Sequence, residues 1–267
     1  MQQRAAPKKR LGQHFLVSQF YAERIADSIE ASSDETVVEI GPGRGAVSRY
    51  LKERFPSFHC VEIDSEVVAG LRETLGGGEW SLHVGNILDF DFEVLGSRFH
   101  AVGNLPYNMG ARIIRKVLYQ APRVVSCTFM VQREVAERIT AKPGTKRYGF
   151  PTVLCGFFGV SRILFHVPPG AFFPKPNVNS SVFRLRVNPA VERRLPSEQW
   201  DQFFGFVDRG FSMRRKMLVN VLGREGGKEY YRRCLEELSI PVTARPEALN
   251  VDEWVGLYRK VRQCPQG

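Results

Sequence analysis

The sequence predicts an α/β protein, a doubly wound, mostly parallel sheet over residues 1–188 followed by a small helical domain over 189–267. Three observations carry this. Short β-branched or apolar runs alternate with segments of helical spacing, the pattern of βαβ units. The first such run, Thr36–Ile40, leads directly into the closely spaced glycines Gly41-Pro42-Gly43-Arg44-Gly45, a strand–turn–helix junction that lets a ligand approach the backbone. After Asn188-Pro189 the strand-like runs stop, and Pro189, Pro196, Gly226-Gly227 and Pro241 punctuate helical segments over 197–211, 216–222, 228–238 and 251–261.

In order, a basic arm (Lys8, Lys9, Arg10) leads through Leu11–Leu16 into an amphipathic helix over 18–29, with Ser18 as N-cap. His14 in this arm could touch a ligand or merely shape a turn; its own surroundings do not decide. The strand Thr36–Ile40 and its glycine turn precede a helix over 46–55. A second strand, Phe58–Val61, ends in Glu62-Ile63-Asp64, an acid 21 residues after Gly41. In dinucleotide folds an acid at this distance holds ribose hydroxyls, and Glu62 is preferred because the strand ends there. The glycines are spaced Gly-x-Gly-x-Gly, tighter than the dinucleotide fingerprint, which suits a nucleoside cofactor without a pyrophosphate. A helix over 65–75 and a Gly76-Gly77-Gly78 turn lead to a third strand ending near Asn86, where a polar side chain can read an adenine edge.

The fourth strand, Phe99–Val102, delivers Asn104-Leu105-Pro106-Tyr107. Pro106 cannot donate to a sheet ladder, so the chain leaves the sheet here, offering backbone carbonyls, an amide oxygen and an aromatic ring. These groups suit a planar amine: two acceptors localise its lone pair while the ring holds the base by stacking. Alone, Asn104 and Pro106 could equally make a turn. Beyond the loop, a helix is expected over 111–118, a strand over 124–131, a helix over 132–141, a turn-rich loop over 142–149, and strands over 160–167 and 181–187.

Composition narrows the partners. Hydrophobic residues at 43% and charged residues at 25% are ordinary globular values, and no apolar run approaches a membrane span. The first ten residues are basic without an apolar core, which argues against a secretory signal and for a cytoplasmic location. Five scattered cysteines without a C-x-x-C pair read as reduced and structural, and no metal-ligand cluster is evident. A net charge of +10 points to a polyanionic partner. The positive charge is clustered at Lys8–Arg10, at Lys142, Lys146 and Arg147, and at Arg209, Arg214, Arg215 and Lys216.

The glycine turn with Glu39 and Glu62 resembles the cofactor-binding half of Rossmann-like S-adenosylmethionine-dependent methyltransferases, and Asn104–Tyr107 resembles the adenine-N6 methyltransferase motif. Leu11–Leu16, Phe129–Ala136, Tyr148-Gly149 and Phe172–Val182 are similar to the ribosomal RNA adenine dimethyltransferases. Asn104–Tyr107 and Phe211–Lys216 most resemble the bacterial small-subunit (KsgA) type, with the large-subunit macrolide-resistance (Erm) type as close kin. The resemblance implies S-adenosylmethionine as cofactor, held by His14, Leu16, Gly41, Gly43, Glu62, Asn86 and Asn104. It also implies catalysis by Asn104, Leu105, Pro106 and Tyr107, with Phe172 facing Tyr107 across a flipped adenine. Lys8, Lys9, Arg10, Lys146, Arg147, Arg214, Arg215 and Lys216 would grip RNA phosphates. Asn86 stands where the family usually has aspartate, so adenine binding is expected to be weaker. The implied substrate is small-subunit rRNA in an assembling 30S particle, met by a monomer away from any membrane. A large-subunit enzyme, a DNA adenine methyltransferase and a mainly non-catalytic assembly factor remain as alternatives.

Overall fold

The computed structural model of the chain describes residues 13–263, without the side chains of residues 225 and 226. It falls into two units. The first takes the described residues up to Ala136 together with Val160–Pro189; the second takes Glu137–Gly159 together with the described residues from Ala190.

The first unit begins with a two-residue strand, β1 (Phe15–Leu16), and helix α1 (Gln19–Asp27). There follow β2 (Thr36–Ile40), α2 (Ser48–Arg54), β3 (Phe58–Glu62), α3 (Ser65–Leu75), β4 (Ser81–Val84), β5 (Phe99–Asn104), α4 (Gly110–Leu118) and β6 (Val124–Gln132). Helices α5 (Arg133–Ile139) and α6 (Phe150–Phe158) follow, and β7 (Gly159–Val167), β8 (Phe172–Phe173) and β9 (Ser180–Val187) complete the strands. Seven of them form one sheet in the order β4-β3-β2-β5-β6-β9-β7. Strands β2 to β6 run parallel, and β9 lies antiparallel to β6. Strand order reverses between β2 and β5, so the crevice at their carboxyl ends is the expected ligand position.

The central strands are near-continuous apolar runs because helices cover both faces. Val37, Val38, Phe58, Cys60, Phe99, Ala101, Val102, Phe129 and Met130 are all buried. Asp64 caps α3, its carboxylate accepting from the Glu66 N–H. Where β2 passes β5, Ile40 is opposite Gly103, and a Cβ at Gly103 would come within 2.5 Å of the Ile40 carbonyl oxygen. Only glycine lets the two strands meet at this point.

The second unit holds α7 (Val191–Arg194), α8 (Trp200–Phe211), α9 (Leu218–Gly226), α10 (Lys228–Glu237) and α11 (Val251–Gln263). The break at residue 189 appears within a residue of where composition shifts, but residues 137–159, which the sequence reading kept with the sheet, belong to the helical unit. The reason is α6, apolar apart from Thr152 and with six of its nine residues buried. Phe157 packs on Phe203 and Phe204 of α8 with centroids 5.2 and 5.4 Å apart, Phe158 packs on Trp200 at 4.8 Å, and Gly156 lies against Val251 of α11. Among the described residues, no helix is long and apolar enough to cross a membrane.

Candidate active site

Gly41, Gly43 and Gly45 carry φ of +67°, +55° and +78°, a left-handed path that side chains rarely follow. The turn sits at the carboxyl end of β2, its Gly41 and Gly45 N–H groups donating to the Val61 and Pro42 carbonyls at 2.9 and 3.0 Å. Its Gly43 N–H donates to Glu62 Oε2 at 3.1 Å, and the other Glu62 oxygen accepts from the Asp64 N–H at 2.9 Å. Glu62 is thereby fixed at the tip of β3. Burial, the largest influence, raises its pKa, while these two bonds hold it down.

Glu39 lies beneath the turn, 3% exposed, and its Oε2 has no hydrogen-bond partner. Burial pushes its carboxyl up to about 7; repulsion from Glu62 adds to this and the Ser48 hydroxyl works against it. Both carboxyls line one pocket with Gly41, Gly43, His14, Leu16, Asn104, Leu105, Pro106 and Tyr107. A buried acid with an unpartnered oxygen beside an open glycine turn fits a cationic nucleoside such as S-adenosylmethionine.

Asn104 is the last residue of β5 and Leu105 still donates its N–H to the Met130 carbonyl at 3.0 Å, so the chain leaves the sheet at Pro106. The Pro106 carbonyl accepts from the N–H groups of Met109 and Gly110, which start α4. Asn104 Nδ2 donates to the His14 carbonyl at 3.0 Å. A carbonyl cannot donate, so the amide is locked with Oδ1 on its other side. The Tyr107 hydroxyl shares a 3.0 Å hydrogen bond with that of Ser180, and its ring stacks on His14 with centroids 5.4 Å apart.

Two expected residues sit elsewhere. Asn86 does not line this pocket; its Oδ1 accepts from the Leu88 N–H at 3.1 Å, an Asx turn at the end of β4. Phe172 does not line the pocket either. It pairs with Leu16 across β1 and β8, is 4% exposed, and belongs to the core beside Val102 and Met130, whereas Phe173 is 56% exposed. Sequence reading gave no role to Phe15, whose ring packs under Gly43 and is covered by the Arg44 guanidinium at 4.5 Å. It also missed Gln13, which donates to Asp64 at 2.8 Å. Both lie inside the Leu11–Leu16 segment already singled out.

The basic positions divide likewise. Lys8, Lys9 and Arg10 lie outside the described residues. Lys146, Arg147, Arg214, Arg215 and Lys216 are exposed on the helical unit, and its fold brings the two sequence-distant groups together. Arg214 Nη2 donates to the carbonyls of Lys146 and Tyr148 at 2.9 and 2.7 Å, while Arg147 pairs with Glu137 at 3.2 Å. Arg214 therefore ties the loop down as well as adding charge.

Residues 4–261 match the family described as ribosomal RNA adenine dimethylase. The chain is 39% identical over 248 residues to a ribosomal RNA small subunit methyltransferase A from Thiobacillus denitrificans, covering 93% of this chain and 95% of that one. It is 39% identical over 256 residues to the protein of that name from Aromatoleum aromaticum, covering 94% and 92%. Among solved structures, a dimethyladenosine transferase from Plasmodium falciparum superposes with a TM-score of 0.82 at 20% identity over 94% of this chain and 98% of that one. The 23S rRNA methyltransferase ErmE does so at 0.69 and 24% identity over 93% and 100%, so both share the fold. An Asn-Leu-Pro-Tyr loop locked beside a glycine turn, in a chain matched almost end to end at these identities, places this protein in the ribosomal RNA adenine dimethylase family.

Proposed function

We propose that this protein transfers two methyl groups in succession from S-adenosylmethionine to the N6 of adenines in a hairpin loop of small-subunit rRNA. It would act as a monomer in the cytoplasm on an assembling 30S particle. The observation that carries the chemistry is the locked amide of Asn104, with Oδ1 turned away from His14 beside the Tyr107 ring. Support for the substrate comes from the relatives named as small-subunit methyltransferases and from the composite basic surface of the helical unit.

The adenine amine is a poor nucleophile because its lone pair is delocalised into the ring. Asn104 Oδ1 accepts from one N–H. The Leu105 carbonyl is the backbone partner for the other, since that of Pro106 is engaged by α4. Two such bonds draw the nitrogen toward a tetrahedral shape and direct its lone pair into the pocket. Tyr107 stacks on the base, which must leave its own stack to arrive. S-adenosylmethionine, when bound, supplies an activated methyl on a sulfonium. The proton lost from the amine becomes acidic only as the new bond forms, so no strong base is needed. After the first transfer one N–H remains for Asn104 to hold during the second. Gly43, Glu62 and Glu39 are the groups that fit the cofactor.

The test is transfer of labelled methyl groups, in parallel, to unmethylated small-subunit particles, large-subunit RNA and adenine-containing DNA, with mass analysis of the product nucleosides. Dimethyladenosine from small-subunit particles alone is expected. Product from large-subunit RNA moves the substrate to the other subunit, and binding without product anywhere refutes the enzyme reading.

A further inference from the structure

His14 touches three separate parts of the site. Its backbone carbonyl accepts from Asn104 Nδ2 at 3.0 Å, and its Nδ1 lies 2.8 Å from the Pro174 carbonyl. The carbonyl can only accept, so Nδ1 carries the proton and Nε2 is left open. The imidazole also lies on the Tyr107 ring, 5.4 Å between centroids and 29° between planes. These contacts sit just ahead of β1, whose pairing with β8 ties the segment to Phe172 and Phe173.

We propose that His14 is a positioning residue for methyl transfer, beyond any contact it makes with the cofactor. Its backbone carbonyl, which every variant at this position keeps, sets which end of the Asn104 amide meets the adenine amine, and its imidazole closes one face of the Tyr107 ring. Tyr107 is then held at its rim by Ser180 and on one face by His14, so a base can stack only on the opposite face. The Nδ1 bond to Pro174 keeps the imidazole from following the ring it supports. Removing the imidazole lets Tyr107 tilt and the amine drift, and a misplacement of about 1 Å costs on the order of a hundredfold in rate. The inference rests on the function proposed above.

Three variants separate the contributions. His14→Phe keeps a ring without the bond to Pro174, His14→Asn keeps a short donor without the ring, and His14→Ala keeps neither. Cofactor affinity is read by calorimetry, and single-turnover methyl transfer to unmethylated small-subunit particles is read at saturating cofactor. At saturating cofactor, His14→Ala is expected to lower the single-turnover rate roughly a hundredfold, over and above any loss of cofactor affinity that calorimetry reads. His14→Phe is expected to recover most of that loss and to exceed His14→Asn. A rate for His14→Ala within about twofold of wild type overturns the proposal. So does a loss that vanishes once cofactor is saturating, which would make His14 a cofactor contact only. Should His14→Ala not fold, His14→Asn outpacing His14→Phe refutes the support of Tyr107. Failure of the wild-type chain itself to methylate any RNA is a different result, and sinks the proposed function together with this inference.

Discussion

Exchanging Glu39 for glutamine is expected to stabilise the protein at about pH 8 and to have little effect near pH 5. The carboxyl is buried at 3% exposure, and burial raises its pKa from the ordinary 4.5 to about 7. The folded chain therefore holds this proton more tightly than the unfolded chain. Ionising the group opposes folding: the cost is absent below about 4.5, grows as pH rises toward 7, and is complete above it. A rise from 4.5 to about 7 corresponds to roughly 3 kcal/mol. Glutamine keeps the shape and cannot ionise. Because Oε2 has no partner, the new amide gains none either, and that offsets part of the benefit. A net gain of roughly 1–3 kcal/mol at alkaline pH remains. Urea unfolding of both proteins from about pH 5 to 8 gives the difference directly, since groups common to both largely cancel. A carbon-13 titration of the Glu39 carboxyl gives its pKa independently. A stability difference that stays flat across that range, or a carboxyl titrating near 4.5, would refute the assignment of burial as the dominant influence.

Other outcomes follow from particular contacts. Asn104→Ala removes the locked acceptor and is expected to cut methyl transfer by about a hundredfold or more while cofactor affinity, measured by calorimetry, changes little; wild-type turnover would remove Asn104 from the chemistry. Gly103→Ala places a Cβ about 2.5 Å from the Ile40 carbonyl oxygen, at an expected cost of roughly 1–3 kcal/mol, read as a fall in Tm of several degrees. An unchanged Tm would mean that β2 and β5 part easily. Arg215→Ala is expected to weaken RNA binding and flatten its salt dependence, by roughly 0.7–0.9 in log–log slope for a lost phosphate contact. Arg214→Ala is expected to do the same and also to raise proteolysis of the 142–149 loop, because it loses two bonds to that loop's backbone. Equal protease resistance in the two variants would contradict the tethering role.

What could be read from the sequence was what depends on local pattern. The run Thr36–Ile40 and the helix Ser65–Leu75 appear at the expected residues because β-branched runs and the Asp64 cap signal themselves without tertiary help. Gly41, Glu62 and Asn104 converge because the doubly wound topology sends strand ends to one edge. Helix α6 went unread since Phe150–Phe158 is apolar without periodicity, and a buried helix and a buried strand look alike in such a run. The pairing of β1 with β8 involves two residues on each side, too few to leave a signature. Phe172 and Phe173 are identical neighbours, and only the register against Phe15 and Leu16 decides which is buried. The Arg214 tether could not be foreseen either, since its acceptors are backbone carbonyls 66 and 68 residues away.

The assignment of residues 137–159 to the helical unit has a consequence for synthesis. During translation α6 leaves the ribosome about forty residues before α8 supplies Trp200, Phe203 and Phe204. At about 5–20 residues per second, a helix with no polar side waits roughly 2–8 seconds for its partners, and longer for α11. In that interval β7 and β9 are being added to the sheet, so the nascent chain carries a finished glycine turn alongside an exposed apolar segment. Damage to the C-terminal helices would thus strand a sticky segment from the middle of the chain, and loss of soluble protein would precede any loss of RNA affinity.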